Sequence, residues 1–230
     1  LTIAFIVAYG FHDELFRWFA RPVLSALRRH GIVALQALQV TETITVYLKL
    51  SLVAGMVVTA PYLFYQLWAF VAPGLYPRER RYVIPMAILT SLFFVVGIVF
   101  CYFVFLPMVI DFLVGFTLSS GDVALVPTVE RTYGLVLTFF LVFGVIFELP
   151  LVMFFLSLLG LVKWRTFLGR GRYFIVLAFV IGAIFTPPEP LSQLLMAVPL
   201  CLLYYIGVGF SFATSLFGSR RSGRMLAGIV

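Results

Sequence analysis

The stretch that decides the fold is residues 64–85, which read FYQLWAFVAPGLYPRERRYVIP. Its centre holds three basic residues and one acidic residue between two long apolar segments: Arg78, Glu79, Arg80 and Arg81. Pro73, Gly74 and Pro77 interrupt helices, so the stretch predicts a tight cap that joins two membrane-spanning helices. The aromatic side chains of Trp68, Phe70 and Tyr76 are expected at the membrane interface, and the three arginines of this short loop predict that the cap is cytoplasmic.

The composition indicates the broad class of protein. Over 230 residues, 63% are hydrophobic and 11% are charged, and the mean hydropathy is +1.14. Soluble domains are about 45–50% apolar and about 25% charged. A water-soluble globule could not bury this much apolar surface, so we predict a polytopic membrane protein. The net charge of +7 fits basic cytoplasmic loops, and no nucleic-acid partner is expected.

The apolar runs predict an all-α fold with six transmembrane helices, both termini cytoplasmic, in a single transmembrane helical domain over residues 1–230. We expect the first span to be incomplete, because its run is about half of the roughly 20 residues that a span needs. The expected spans are residues 1–11 (partial), 44–71, 82–106, 132–160, 173–185 and 191–212. Ten Lys and Arg residues fall on the predicted cytoplasmic side and five outside, in agreement with the positive-inside rule.

Residues 12–43 form the predicted first external segment. Helical spacing of apolar and basic residues predicts helices along the membrane surface, with Pro22 as a break. Pro107 is expected to bend the third span. Lys163, Arg165, Arg170 and Arg172 are expected on a cytoplasmic loop before a fifth apolar run of only 13 residues.

His12 and His30 lack companion ligands, so no metal site is expected. Cys101 and Cys201 lie in apolar runs, where no disulfide is predicted.

Glu148 falls near the middle of the fourth predicted span. An ionised carboxylate there costs at least a few kcal/mol, so such a residue is a functional candidate. Pro150 also leaves the carbonyl of Ile146 without its helical partner. We expect Glu148 to line an open face of the bundle that receives another transmembrane helix or an inserted signal peptide. The alternative is a structural hydrogen bond inside the bundle.

Three motifs resemble one family of membrane proteins. They are YQLWAFVAPGLY at residues 65–76, followed by Glu79-Arg80-Arg81; FGVIFELP at residues 143–150; and FTPPE at residues 185–189, with Ser192-Gln193. Their order and spacing over nearly the whole chain resemble the TatC family. Its members are multi-span receptor subunits of the twin-arginine (Sec-independent) protein translocase.

The resemblance implies a receptor without enzymatic activity, cofactor or metal. Proteins similar to this one bind twin-arginine signal peptides of folded precursors at the cytoplasmic face. They then dock single-span subunits A and B in a hetero-oligomer with several copies. Transport is driven by the proton-motive force across the prokaryotic cytoplasmic (inner) membrane.

The resemblance also implies roles for individual residues. Glu79 corresponds to the acceptor of the signal arginines, and Phe70 to part of the same surface. Glu148 corresponds to the intramembrane polar site. The expected docking site for a partner helix comprises Thr186, Gln193 and Glu189. One departure is Tyr205, which stands where many relatives have an acidic residue.

Two other functional classes were weighed. An intramembrane enzyme is not expected, because the sequence has no zinc motif, nucleophile elbow, phosphate loop or pair of intramembrane acids. The alternative is a proton-coupled small-solute permease that uses Glu148, although such folds show paired interrupted helices around a midplane site. A permease would enclose a solute-sized polar cavity, whereas a receptor would present a concave wall to the lipid.

Overall fold

The structure is a computed structural model that describes residues 1–32, 34–39, 41–72, 83–119, 125–186 and 189–226. Within these ranges the regular elements are all helices, and the one β-bridge is an isolated pair between Gln36 and Thr128. The predicted all-α class is therefore confirmed. The helices are α1 (Thr2–Gly10), α2 (His12–Arg29), α3 (Glu42–Val71), α4 (Val83–Phe100), a π-helix (Cys101–Phe105), α5 (Leu106–Ser119), α6 (Val129–Ile146), α7 (Leu149–Leu158), α8 (Trp164–Phe185) and α9 (Pro190–Leu226).

Five helical segments of the described chain are long and apolar enough to cross a membrane. They are Glu42–Val71, Val83–Ser119, Val129–Leu158, Trp164–Phe185 and Pro190–Ser215. The nine residues of α1 extend only about 14 Å, less than half of a hydrocarbon core of about 30 Å. The sixth span and the cytoplasmic termini therefore remain predictions.

The helices form two compact units, residues 1–145 and 146–230, while a single domain stays a prediction. In the first unit α1 packs against α3 at Gly55. A Cβ atom there would lie 3.2 Å from the backbone nitrogen of Phe5, so only glycine permits this approach without a shift. Phe139 and Phe140 of α6 are fully buried, as is Leu106 of α5.

Pro22 does not break α2, contrary to the prediction. The helix runs from His12 to Arg29 with Pro22 inside it. Proline has no N–H, so the carbonyl of Trp18, four residues earlier, lacks its usual helical donor. The Tyr102 hydroxyl donates to that carbonyl at 3.0 Å. The rings of Tyr102 and Trp18 also stack, with their centroids 4.3 Å apart. A long-range hydrogen bond thus replaces the missing local one.

The end of α2 is held by charge. The Arg29 Nη1 atom lies 2.6 Å from Asp111 Oδ2 on α5, and the His30 Nε2 atom lies 3.7 Å from Asp111 Oδ1. A basic side chain is also favourable at a helix C-terminus. His30, for which the sequence predicted no companion metal ligand, is exposed and lies next to one carboxylate.

The third span is continuous through a π-helix at Cys101–Phe105. Pro107 follows two residues later and cannot bond to the carbonyl of Phe103 as an α-helix requires. The backbone N–H of Leu106 instead bonds to the carbonyl of Cys101, which is the i to i+5 pattern of a π-helix. The irregularity expected at Pro107 therefore precedes it, and the helix continues to Ser119.

In the second unit α9 packs against α7 and α8. Gly207 allows close contact with α7, since a Cβ atom there would lie 2.7 Å from the sulfur of Met153. The hydroxyls of Ser157 and Ser211 share a hydrogen bond. The Tyr204 hydroxyl donates to the carbonyl of Phe167 at 2.7 Å and thereby joins α9 to α8.

Helix α8 differs from the predicted fifth span. Residues 173–185 are the C-terminal part of a 22-residue helix that begins at Trp164. Its length is about 33 Å, so length alone does not require a thinner bilayer. Arg165, Arg170 and Arg172 lie on this helix rather than on a loop. Long basic side chains can extend from a helix end towards the interface.

Candidate functional site

Glu148 lies where the fourth span is interrupted. Helix α6 ends at Ile146, and Glu148 is the residue that precedes α7. Its carbonyl accepts hydrogen bonds from the backbone N–H groups of Leu151 at 3.1 Å and Val152 at 2.9 Å. Pro150 occupies the first turn of α7, where a missing N–H costs nothing. Pro150 thus accounts for the break, and the break puts a carboxyl group at the positive end of α7.

Glu148 is buried, with 9% of its surface exposed. The expectation that it lines an open face is therefore wrong. The sequence showed that a carboxyl group lies at this depth, but burial depends on which helices pack around the break. Its assignment as an intramembrane polar site remains a prediction.

The predicted docking residues meet where α8 ends and α9 begins. The backbone N–H and the hydroxyl of Thr186 both donate to the carbonyl of Gly182 at 2.8 Å. A Cβ atom on Gly182 would lie 3.2 Å from the carbonyl oxygen of Gln193. Thr186 and Gln193 are therefore brought together at Gly182, where the two helices approach closely.

Glu189 and Gln193 present polar groups at this junction. The Glu189 carbonyl accepts bonds from the Gln193 N–H at 3.1 Å and from the Ser192 hydroxyl at 3.0 Å. The Glu189 Oε2 atom is buried and has no hydrogen-bond partner in the described part of the chain. The half-buried Gln193 makes no side-chain hydrogen bond within the same ranges. Both side chains thus retain hydrogen-bonding capacity at a helix end.

Sequence reasoning missed Gly182. Thr186 and Gln193 were identified by their polarity, whereas Gly182 contributes by having no side chain. The available signal was its position four residues before Thr186, about one helical turn earlier in the chain.

Only part of the predicted signal-peptide site falls within the described residues. Phe70, in the last turn of α3, is 85% exposed. Glu79 lies outside the described residues, together with the arginines on either side of it.

Trp68 does not face the membrane interface as predicted. It is buried, and its indole Nε1 donates to the Thr90 hydroxyl on α4 at 3.3 Å. The Thr90 hydroxyl in turn bonds to the carbonyl of Met86 at 3.0 Å. This contact links the two helices from which the segment containing Glu79 extends, whereas Phe70 stays exposed.

A further ion pair joins α3 to the first turn of α6. Lys49 Nζ is 3.2 Å from Glu130 Oε1, and both side chains are partly exposed. No group of three or more His, Cys, Asp or Glu residues that could hold a metal ion occurs in the ranges given above. Both cysteines are free.

The fold and the site define a multi-pass α-helical membrane protein in which polar groups are concentrated at helix interruptions and helix ends. The sequence pattern of the family described as Sec-independent protein translocase protein (TatC) matches residues 1–199. A protein of that name from Desulforapulum autotrophicum is 37% identical over 220 residues, which cover 95% of this chain and 78% of that protein. The protein of that name from Escherichia coli (strain K12) is 32% identical over 211 residues, covering 92% and 80%.

A solved structure described as "Crystal Structure of Twin Arginine Translocase Receptor- TatC" is 34% identical to this chain. It superposes with a TM-score of 0.79 and covers 93% of this chain and 94% of that one. The chain belongs to the TatC family of Sec-independent protein translocase proteins. It is therefore a translocase component and not an enzyme, and it acts within a complex. Membership in a translocase family also argues against the alternative of a proton-coupled small-solute permease.

Proposed function

We propose that this chain is the receptor subunit of a twin-arginine translocase. It binds twin-arginine signal peptides of folded precursors at the cytoplasmic face and then docks single-span subunits A and B. Family membership supports this proposal, as does the similarity to a structure described as a twin-arginine translocase receptor. The observation that carries it is Phe70, an aromatic side chain that is 85% exposed at the end of α3, just before the segment with Glu79.

Glu79 is the proposed acceptor for the signal arginines. A carboxylate matches the fork of a guanidinium group with two parallel hydrogen bonds. Such a charged hydrogen bond contributes about 1.5–3 kcal/mol when it is partly shielded from water. As a plain loop charge Glu79 would only balance its neighbouring arginines, and exposed pairs contribute roughly 0–1 kcal/mol. Phe70 then supplies an apolar surface for the hydrophobic part of the peptide.

The junction of α8 and α9 is the proposed docking site for a partner helix. Polar side chains hydrogen-bond across helices in membranes, and small residues let backbones approach. Thr186 and Gly182 fix the end of α8, while Gln193 and Glu189 retain polar atoms without a partner in the described ranges. A single-span subunit with a polar side chain at this depth would satisfy those atoms.

Glu148 is the proposed intramembrane polar site of the same complex. Because it is buried, a partner helix reaches it only when the helices around the break before Pro150 rearrange. A break with a proline is a natural place for such a movement, since the regular backbone hydrogen bonds are already interrupted.

The proposed setting is the cytoplasmic (inner) membrane of a prokaryote, with six spans and both termini in the cytoplasm. Several copies of the chain act together, and the proton-motive force drives transport. The excess of Lys and Arg on the predicted cytoplasmic side supports this orientation.

A peptide pull-down tests the receptor function. Full-length protein in detergent is mixed with an immobilised signal peptide that carries paired arginines, and with a matched peptide that carries paired lysines. We expect retention by the first peptide and little by the second, because lysine lacks the bidentate fork. Equal retention by both peptides would contradict the proposal.

A further inference from the structure

Helix α2 has two chemically different faces. One face is buried against the first unit and consists of Phe19, Ala20, Pro22, Val23, Ala26 and Leu27. The other face is exposed and includes Arg17 and Arg21. A groove of about 530 Å³ lies along it and is lined by Phe11, Glu14, Leu15, Arg17, Trp18 and Arg21. None of the roles proposed above uses this groove.

The two arginines of the groove are available for a ligand. Arg17 and Arg21 are four residues apart and therefore lie on the same side of the helix. Neither forms an ion pair with Asp or Glu in the described ranges, whereas Arg29 on the same helix pairs with Asp111. With Glu14 as the one lining carboxylate, the groove has a formal charge of +1. It is thus complementary to a ligand with one negative charge.

The aromatic lining indicates where the groove lies in the membrane. Helix α1, directly before it, exposes the apolar side chains of Ile3, Ile6 and Val7, as expected for a surface that faces hydrocarbon. Phe11 and Trp18 then remain 58% and 42% exposed. Exposed aromatic rings next to arginines are typical of the boundary between hydrocarbon and headgroups.

We propose that this groove binds an anionic phospholipid, with Arg17 and Arg21 on its headgroup phosphate and Phe11 and Trp18 against its glycerol and upper acyl chain. Guanidinium groups bind phosphate through paired hydrogen bonds. A phosphodiester with a single negative charge, such as that of phosphatidylglycerol, balances the charge of the groove. A soluble anion would not require the apolar lining. The proposal is independent of signal-peptide binding.

Native mass spectrometry of the full chain, titrated in detergent with phosphatidylglycerol or phosphatidylcholine, tests the proposal. We expect the wild type to bind phosphatidylglycerol more tightly. The variant Arg17→Gln/Arg21→Gln should lose about 25-fold in affinity, at about fivefold for each arginine near the headgroups. Added salt should weaken the remaining binding.

A control matched in charge is Arg28→Gln/Arg131→Gln, which also removes two exposed arginines but leaves the groove intact. We expect it to change the affinity less than twofold. Arg17→Lys/Arg21→Lys should retain more affinity than the glutamine variant. The unfolding temperature of each variant shows whether α2 is still in place. The proposal is overturned if the control loses as much affinity, if the glutamine variant loses none, or if phosphatidylcholine binds equally well.

Discussion

Tyr102, in the π-helix, donates to the carbonyl of Trp18 the hydrogen bond that Pro22 withholds from it. The two residues are 84 positions apart, so the bond also fixes α2 to the third span. The Tyr102 hydroxyl therefore compensates for the donor that the proline inside α2 lacks.

The first prediction concerns the hydrogen bond from the Tyr102 hydroxyl to the Trp18 carbonyl. Tyr102→Phe keeps the ring but removes the donor, and we expect it to lower the free energy of unfolding by about 0.5–1.5 kcal/mol. In a Pro22→Ala background the N–H of residue 22 can bond to the Trp18 carbonyl, so the same change should cost clearly less. Thermal unfolding of all four proteins in detergent measures the coupling. Tyr65→Phe, at an exposed tyrosine, is the control. If the effects of Tyr102→Phe and Pro22→Ala on the free energy of unfolding are additive, the two donors are unrelated.

The second prediction concerns the contact between α8 and α9. Gly182→Ala places a Cβ atom 3.2 Å from the Gln193 carbonyl oxygen, which forces a shift between two backbones. We expect a destabilisation of about 1–3 kcal/mol and weaker capture of subunits A and B in a pull-down. Gly169→Ala is the control on the same helix, because nothing lies within 4 Å of its Cβ position. If both alanines behave alike, the close approach at Gly182 has no role in docking.

The third prediction concerns Glu79. Glu79→Ala should lower the affinity for a twin-arginine signal peptide by about tenfold to a hundredfold, which corresponds to one or two steps of about 1.4 kcal/mol. Glu79→Asp should cost less, because it keeps a carboxylate. Fluorescence anisotropy of a labelled peptide measures both. Glu130→Ala removes a carboxylate that pairs with Lys49, and we expect no effect on the peptide. Unchanged binding by folded Glu79→Ala protein would end this assignment.

The fourth prediction separates structure from function at Glu148. Glu148→Gln keeps the shape and removes the ionisable group from a buried position, so stability should be unchanged or higher. We expect the rate of precursor transport into inverted membrane vesicles to fall about tenfold, roughly 1.4 kcal/mol, while peptide binding is retained. If the role of Glu148 is purely structural, Glu148→Gln protein that still folds will instead transport precursors at the normal rate.

Much of the fold could be predicted because a bilayer allows few solutions. A spanning segment must be apolar, long and internally hydrogen-bonded, and each of these properties is visible in one stretch of sequence. The positions of α3, α6 and α9 follow from that constraint. Proline positions also predicted where helices become irregular, at Pro107 and Pro150.

The errors have a common physical cause. The course of α2 through Pro22 depends on Tyr102, which is distant in sequence, and the burial of Trp68 depends on Thr90 of the next helix. Exposure of Glu148 was predicted from its own span alone, although burial is a property of neighbouring helices. The start of α8 was placed too late, because arginines were assumed to mark a loop. Local patterns do not contain these tertiary contacts.

The π-helix has a consequence for the tolerated length of the third span. A π-turn is equivalent to one residue inserted into an α-helix. Deleting one residue within Cys101–Phe105 would therefore restore α-helical spacing and keep the buried faces of α4 and α5, with Phe94 and Val109, in phase. Pro107 would have to change as well, since it would then clash with a regular helix. Homologues whose third span is one residue shorter are thus expected to lack that residue at this turn and to lack Pro107 as well.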